Sequence, residues 1–432
     1  MKSYTVTPIS SPSIIQAEVP GSKSITNRAL LLAALSNGTS VIKGALFSED
    51  SRHFLQCLID LGFPITVEKE TCTITGYSGK IPKKEASIYV GSAGTAARFL
   101  TAMLGLSDGT YHLDASEQMK KRPMKPLLHA LESIGVTITY QEKEGFFPFT
   151  IHGCANTKSS IQIDISDSSQ FLSALLMSAP IKEEGLTIEL VGGHALSYVK
   201  ITTKMMEQFG CQVVQTGNQI YQILPHQTYQ AQIYQVEPDV SAACYFYAMA
   251  PLLHTKTLVH HIHFDSMQGD IRFLSILEEM GCTLEDTPEG ILVSSPASGN
   301  YSGITVTMSD CSDQTMTLAA IAPFANSPVR IRGVKHIRLQ ESNRIEAICK
   351  ELTRIGILCT EFEDGIDIFP GTPHAAAIET YEDHRIAMAF SLIGLRVPGI
   401  SILHPECCKK TFENYFEVLD QIIETSLKKD LK

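Results

Sequence analysis

Residues 50–62 read DSRHFLQCLIDLG, and the same kind of stretch returns as MKPLLHALESIG at 124–135, ITTKMMEQFG at 201–210, IRFLSILEEMG at 271–281 and RIEAICKELTRIG at 344–356. Each sets apolar residues three and four positions apart and stops at glycine, the pattern of an amphipathic helix closed by a residue that turns left-handed at no cost. The closing glycines, Gly62, Gly135, Gly210, Gly281 and Gly356, are spaced 73, 75, 71 and 75 residues apart. That regularity predicts an internal repeat.

Between these segments lie stretches that are apolar nearly all round: ITNRALLLAALSNGT (25–39), TAARFLTAMLGLSDGT (95–110), SQFLSALLMSAP (169–180), SAACYFYAMAPLL (241–253), QTMTLAAIAPFA (314–325) and HRIAMAFSLIGL (384–395). A helix without a polar face has to be buried. Each unit therefore supplies one inner and one outer helix, with Val-, Ile- and Thr-rich strands such as TSVIKG, TITY, LTIELV, TLVHHIHF and SPVRIRGV between them. Six such α/β units suit two domains of three better than one solenoid, since neither end resembles a polar capping repeat. The division is expected in VEPD, with a first domain over 21–236 and a second made of 1–20 and 237–432, the strand before Pro20 completing the second.

The 432 residues are 44% hydrophobic and 19% charged, with 29 Gly, 20 Pro and no Trp, which excludes disordered, collagen-like and coiled-coil chains. A net charge of −11 removes any general attraction to nucleic acid, so an anion must meet a local cationic site. Eleven cysteines without a CxxC give neither a disulfide framework nor a zinc ribbon and fit reduced thiols in the cytoplasm. With no signal-peptide pattern and no run of 18 apolar residues, no membrane partner is expected. His260 to His263, HHIH, alternates along an expected strand and reads as strand packing, so no metal site is assigned.

The six inner helices open with GSKSITNR, GSAGTAAR, SDSSQF, EPDVSAA, CSDQTM and YEDHRIA. Hydroxyls and small residues crowd first turns whose unpaired N–H groups favour anions, or simply cap the helix. Lys23, Arg28, Arg98 and Arg385 sit within a turn or two of these starts, where an uncompensated buried cation would be costly. In an acidic chain this predicts a divided site for phosphate and carboxylate groups. GSKS lacks the spacing of a P-loop, and GSAGTAAR is GxxGT where a dinucleotide fold needs GxGxxG.

At these residues the chain resembles the 5-enolpyruvylshikimate-3-phosphate synthase family. The resemblance rests on GSKSITNR, GSAGTAARFL, KKRPMKPL, SSQFLSALLM, SDQTMTLA, RLQESNRIEAI, YEDHRIAM and KKTF, in the family's order and spacing from PGSKSITNRALLLAAL to CCKKTFENYFEVL. It implies a two-domain inside-out α/β barrel, the enolpyruvyltransferase fold, with six βαβαββ repeats, three per domain. It implies transfer of the enolpyruvyl group of phosphoenolpyruvate to the 5-hydroxyl of shikimate 3-phosphate with release of phosphate, a step of aromatic amino acid and chorismate biosynthesis, and it implies that glyphosate targets the phosphoenolpyruvate position. No cofactor is expected, and the working form is expected to be a monomer.

Carried over motif by motif, Lys23, Ser24, Arg28, Ser168, Ser169, Gln170, Tyr198, Asp313 and Gln340 would meet shikimate 3-phosphate. Lys23, Gly94, Thr95, Arg122, Gln170, Arg344, Arg385 and Lys410 would meet phosphoenolpyruvate. Asp313 matches the carboxylate that takes the hydroxyl proton, Glu341 the one that handles the proton at the methylene carbon, and Lys23 the bridge between substrates. Read without the family, Asp313 would cap the helix before Met316, Glu341 would form a surface ion pair with Arg338 or Arg344, and Arg122 would sit in a solvated basic turn.

The chain departs from the family pattern at Ser92, where Asn is usual, at Gln340, where Lys is usual, at Ala195, where a phosphate-binding Ser is usual, and at Ser197, where Pro is usual. Losing the lysine removes a positive charge beside Asp313 and Glu341. The alternatives are an enolpyruvyltransferase acting on UDP-N-acetylglucosamine, against which stands the absence of cysteine from residues 109–125, and a noncatalytic anion-binding relative, against which stand Lys23, Asp313 and Glu341.

Overall fold

The computed structural model describes residues 2–10, 12–154, 158–192 and 196–430, and the chain divides into two compact units, Gly21–Glu237 and Met1–Pro20 with Pro238–Lys432. In the N-terminal unit the helices are α1 (Lys23–Leu35), α2 (Glu49–Asp60), α3 (Gly94–Gly105), α4 (Lys125–Ile134), α5 (Gln170–Ser178) and α6 (Ser197–Gln208), beside a single turn at Glu117–Lys120. Every residue of α3 is buried, as is α1 from Ile25 onward and α5 from Phe171 onward. The outer helices bury one face only: α4 turns Leu127, Leu128, Ala130, Leu131 and Ile134 inward. The two kinds of hydropathy pattern thus become two layers, because an all-apolar helix would leave hydrocarbon in water if exposed, and a helix with a charged face would desolvate it if buried.

In the C-terminal unit the same alternation runs through α7 (Val240–Tyr247), α8 (Arg272–Glu279), α9 (Thr315–Ile321), α10 (Arg344–Arg354), α11 (His384–Gly394) and α12 (Tyr415–Asp430). All of α9 and α11 is buried. The apolar run at 241–253 is divided at Ala248, which keeps helical dihedrals (φ −64°, ψ −19°), and continues as Met249–Leu253. Gly62, Gly135, Gly210, Gly281 and Gly356 follow the first five outer helices, all with φ between 85° and 115°. Their even spacing reflects a recurring helix stop that residues with a Cβ enter only under strain.

Among the described residues each unit holds three sheets; five share one four-stranded scheme, and the sixth, Ser3–Thr5, Ser401–Leu403 and Ala377–Ile378, has three strands. In the second repeat Glu85–Tyr89 pairs parallel with Gly109–Asp114 across α3, and Gly109–Asp114 pairs antiparallel with Phe149–Gly153, which pairs with Thr137–Tyr140. The parallel pair needs a crossover, and the inner helix is that crossover. In the first repeat the parallel partner of Asn37–Lys43 is Ile233–Gln235, from the far end of the unit. The strand just before α1, Ile15–Ala17, pairs instead with Lys256–His260, and Ser3–Thr5 pairs with Ser401–Leu403, so residues before Pro20 complete two sheets of the C-terminal unit.

The expected strand over HHIH ends at His260. His261 turns left-handed at φ 62°, and the Nδ1 of His263 meets Asp286 Oδ1 at 2.6 Å. A carboxylate from the strand Thr283–Thr287 therefore supports His263, and the segment is a turn with an exposed His–Asp hydrogen bond in place of strand packing. All eleven cysteines are free thiols.

Gly135 isolates the cost of the helix stop. Its φ is 115° and a Cβ built there meets nothing within 4 Å, so Gly135→Ala adds backbone strain without a clash and lowers unfolding free energy by about 1–2 kcal/mol. Urea unfolding of parent and variant measures it; an unchanged midpoint would mean the glycine is not required there.

Candidate active site

In the N-terminal unit the site residues gather around the starts of α1, α3 and α5. Arg28, one turn into α1, is 2% exposed. Its Nε donates to Thr202 Oγ1 at 2.8 Å, Nη1 to the Ser24 carbonyl at 2.9 Å, and Nη2 to the Tyr198 carbonyl at 3.2 Å and Ser173 Oγ at 3.5 Å, while the guanidinium lies over Phe99. No carboxylate of the described residues pairs with it, and burial pushes its pKa down to about 10. Hydroxyls and carbonyls orient this cation without neutralising it. Ser24 and Tyr198 meet it through their backbone oxygens.

Lys23 opens α1 and faces the buried Asp50 of α2 at 3.4 Å. Thr95, in the first turn of α3, accepts from Asn27 Nδ2 at 2.6 Å, which ties α1 to α3. Gly94 lies against two guanidinium groups: a Cβ built on it would stand 2.8 Å from Arg98 Nη1 and 3.0 and 3.2 Å from Nη1 and Nη2 of Arg122. Arg122 is 8% exposed, so it is not a solvated basic turn. At α5, Ser169 is buried at the N-cap, Ser168 Oγ accepts from the Gln170 amide at 3.3 Å, and Gln170 Oε1 is buried without a hydrogen-bond partner.

The C-terminal cluster is built on Arg344, the first residue of α10, at 1% exposure. Its Nη1 donates to Asp313 at 2.9 Å, its Nη2 to Glu341 at 2.8 Å and its Nε to Asp383 at 2.8 Å. Burial acts to lower its pKa, but Asp383, Glu341 and Asp313 outweigh it and the pKa rises. Arg385 donates to the other oxygen of Asp313 at 2.6 Å, and Lys410 pairs with Glu341 Oε1 at 3.3 Å. Three cations thus meet three carboxylates within one unit. Asp313 lies in the turn Ser309–Gln314, and α9 starts without a side-chain cap, so this carboxylate serves arginines and not a helix end. The Glu341 side chain is 9% exposed, and its pair with the buried Arg344 is part-buried, not a surface pair.

Sequence reasoning missed the residues that hold these groups. Asp383 stands in the quoted YEDHRIA, where it both caps α11, accepting from the Arg385 amide at 3.0 Å, and anchors Arg344. Asp50, Thr202 and Ser173 carry no local signal, since they meet Lys23 and Arg28 only through the fold. Among the described residues no group of three or more His, Cys, Asp or Glu could hold a metal ion, and no helix is long and apolar enough to cross a membrane.

The sequence pattern of the family described as EPSP synthase (3-phosphoshikimate 1-carboxyvinyltransferase) matches residues 11–419. The chain belongs to the EPSP synthase family. It is 44% identical over 427 residues to a 3-phosphoshikimate 1-carboxyvinyltransferase of Nostoc punctiforme, covering 98% of this chain and 100% of the relative. It is 42% identical over 411 residues to 3-phosphoshikimate 1-carboxyvinyltransferase 2 of Halalkalibacterium halodurans, covering 94% and 91%. A solved EPSP synthase from Acinetobacter baumannii aligns with a TM-score of 0.81 at 26% identity, covering 98% of each chain. The fold is therefore the two-domain enolpyruvyltransferase fold. Of the departures from the EPSP synthase pattern, Gln340 is half-buried between the turn Lys335–Leu339 and Glu341, Ser92 is half-buried ahead of α3, and Ser197 starts α6 with its Oγ unpartnered; Ala195 lies outside the described residues.

Behind Asp313 lies a further buried acid. Asp270, 2% exposed, accepts from Ser241 Oγ and from Gln314 Nε2 at 3.0 Å. Burial and then the charge of Asp313 raise its pKa from 3.8 to about 6. The folded state therefore holds this proton more tightly than the unfolded chain, so the stability it contributes is full below pH 3.8 and lost as pH rises through about 6. Asp270→Asn cannot titrate, so the parent-minus-variant unfolding free energy should fall between about pH 4 and 6.5 and be flat above. Urea unfolding at stepped pH checks this; a difference independent of pH would exclude Asp270 as the titrating group.

Proposed function

We propose that the chain transfers the enolpyruvyl group of phosphoenolpyruvate to the 5-hydroxyl of shikimate 3-phosphate and releases phosphate. The observation that carries this reading is the pair of carboxylates, Asp313 and Glu341, held by one buried guanidinium among further cations. Addition to an enol needs a base on the alcohol and an acid on the methylene carbon, and elimination reverses the second transfer. Asp313 takes the hydroxyl proton as the alcohol oxygen bonds to the enol carbon, and Glu341 hands a proton to the methylene. Glu341 then takes a proton back from the new methyl group as the carbon–oxygen bond to phosphate breaks.

Both substrates are polyanions, and the buried cations suit them. Arg28, Ser24, Ser168, Ser169, Gln170 and Tyr198 are assigned to shikimate 3-phosphate with Asp313 and Gln340. Gly94, Thr95, Arg122, Gln170, Arg344, Arg385 and Lys410 are assigned to phosphoenolpyruvate, with Lys23 on both. Preorganised cations stabilise the phosphate-bearing tetrahedral intermediate without reorganisation cost at the moment of reaction. Cytoplasmic location is supported by eleven free thiols, and the working form is proposed to be a monomer.

Phosphate release with phosphoenolpyruvate and shikimate 3-phosphate, run beside UDP-N-acetylglucosamine as acceptor, tests the reaction. Only the first acceptor should give product, and Glu341→Gln should lower kcat by ~100-fold or more with little change in shikimate 3-phosphate affinity. A Glu341→Gln enzyme as fast as the parent would remove Glu341 from the chemistry. Gly94→Ala pushes a methyl group against Arg98 and Arg122, so glyphosate, competing with phosphoenolpyruvate, should see its inhibition constant rise far more than the KM; equal rises in a steady-state series would contradict this.

A further inference from the structure

The segment leading into α11 is built against the ordinary preferences of its residues. Thr380 to Asp383 form a tight turn in which the Asp383 amide donates to the Thr380 carbonyl at 2.8 Å, and both central residues, Tyr381 and Glu382, are left-handed at φ 54° and 55°. Turns of this kind favour Asn and Gly, and two successive residues with ordinary side chains stay in them only where their surroundings over-determine the backbone.

Those surroundings come from α10. Glu351 is fully buried, and its Oε1 accepts from the Tyr381 hydroxyl at 2.6 Å while Oε2 accepts from the Glu379 amide at 3.1 Å. Arg354 Nε donates to the same carboxylate at 2.8 Å, and Glu379 Oε1 accepts in turn from the amides of Thr380 and Tyr381 at 3.1 and 3.3 Å. Burial, and then the hydrogen bond to Glu351, raise the Tyr381 pKa, so the phenol remains a donor. Two turns earlier on the same helix, Arg344 holds Asp383 Oδ2 at 2.8 Å. One helix therefore grips this segment at both ends, and Arg385, two residues further on, reaches Asp313.

We propose that Glu351 and Tyr381 are positioning residues for the reaction: through the left-handed turn at Tyr381 and Glu382 they set the aim of Asp383 and Arg385. The inference rests on the role given above to Arg385 as a phosphoenolpyruvate ligand. Neither is among the residues assigned above to either substrate.

The test compares Tyr381→Phe, which deletes one hydroxyl, with the double variant Tyr381→Phe, Glu382→Gly, in which glycine takes a left-handed φ without strain. Tyr381→Phe should raise the KM for phosphoenolpyruvate about fivefold or more, leave that for shikimate 3-phosphate within about twofold, and raise amide hydrogen exchange over residues 380–385 about tenfold. The double variant should return both toward the parent values. Unchanged KM and exchange in Tyr381→Phe would overturn the proposal, as would equal rises in both KM values with no rescue by glycine, the mark of general loosening. Exchange is read without substrate, so a parent without turnover would refute the reaction while exchange still decides whether the clamp holds the turn.

Discussion

A guanidinium at 1% exposure is costly unless hydrogen bonds or opposite charges meet it, and Arg344 is met by Asp313, Glu341 and Asp383 at once. Desolvating such an ion costs several kcal/mol, and removing any partner strands charge in a medium that screens it poorly. The constraint therefore fixes several places in the C-terminal unit together: the turn before α9, the residue three positions before Arg344, the start of α10 and the start of α11. The shortest contacts of the three nitrogens, at 2.8–2.9 Å, go to three different carboxylates, and Nη2 also reaches Asp383 Oδ1 at 3.4 Å, a division that an ammonium on a flexible stem could not reproduce. Arg385 and Lys410 then take the remaining oxygens of Asp313 and Glu341. Both carboxylates assigned to proton transfer are thereby held from two directions.

The N-terminal unit answers the same problem differently. Arg28 is as deeply buried, but its donors go to two hydroxyls and two backbone carbonyls. Such partners satisfy hydrogen-bond geometry and leave the positive charge standing, which is why burial lowers this pKa while carboxylates raise that of Arg344. One arrangement fixes acids in place around a neutralised cation. The other keeps a cation available to an anion and suits recognition of a phosphate.

What the sequence made legible follows from which forces are local. Gly135 and its four counterparts announce themselves because a left-handed helix stop is a property of one residue. The burial of α3 and α11 is legible because a helix such as GTAARFLTAMLG has no polar face to give to water. The HHIH segment misled because alternation predicts a strand only while the backbone stays extended, and a left-handed His261 with Asp286 opposite His263 depends on a carboxylate more than twenty residues away, on a strand that does not pair with Lys256–His260. The same holds in the site. GSKSITNR and YEDHRIAM point to Lys23, Arg28 and Arg385, whereas Thr202, Asp50 and Glu351 matter only for what the fold brings to them. Asp313 shows both sides: its neighbourhood is legible, but its service to two arginines and not to a helix end is a tertiary fact.

The pairing of Ile15–Ala17 with Lys256–His260 has a consequence for how the chain is made. The two strands are about 240 residues apart, and the whole unit Gly21–Glu237 lies between them. At roughly 5–20 residues per second, tens of seconds pass on the ribosome between the emergence of one strand and of its partner. During that interval the first twenty residues have no sheet to join, while Gly21–Glu237 already possesses the strand Ile233–Gln235 that closes its own first sheet. Synthesis thus runs ahead of assembly for these strands: Ser3–Thr5 and Ile15–Ala17 leave the ribosome long before Ser401–Leu403 and Lys256–His260 and are ordered only once those partners exist, so lesions there weaken the unit completed after Gly21–Glu237.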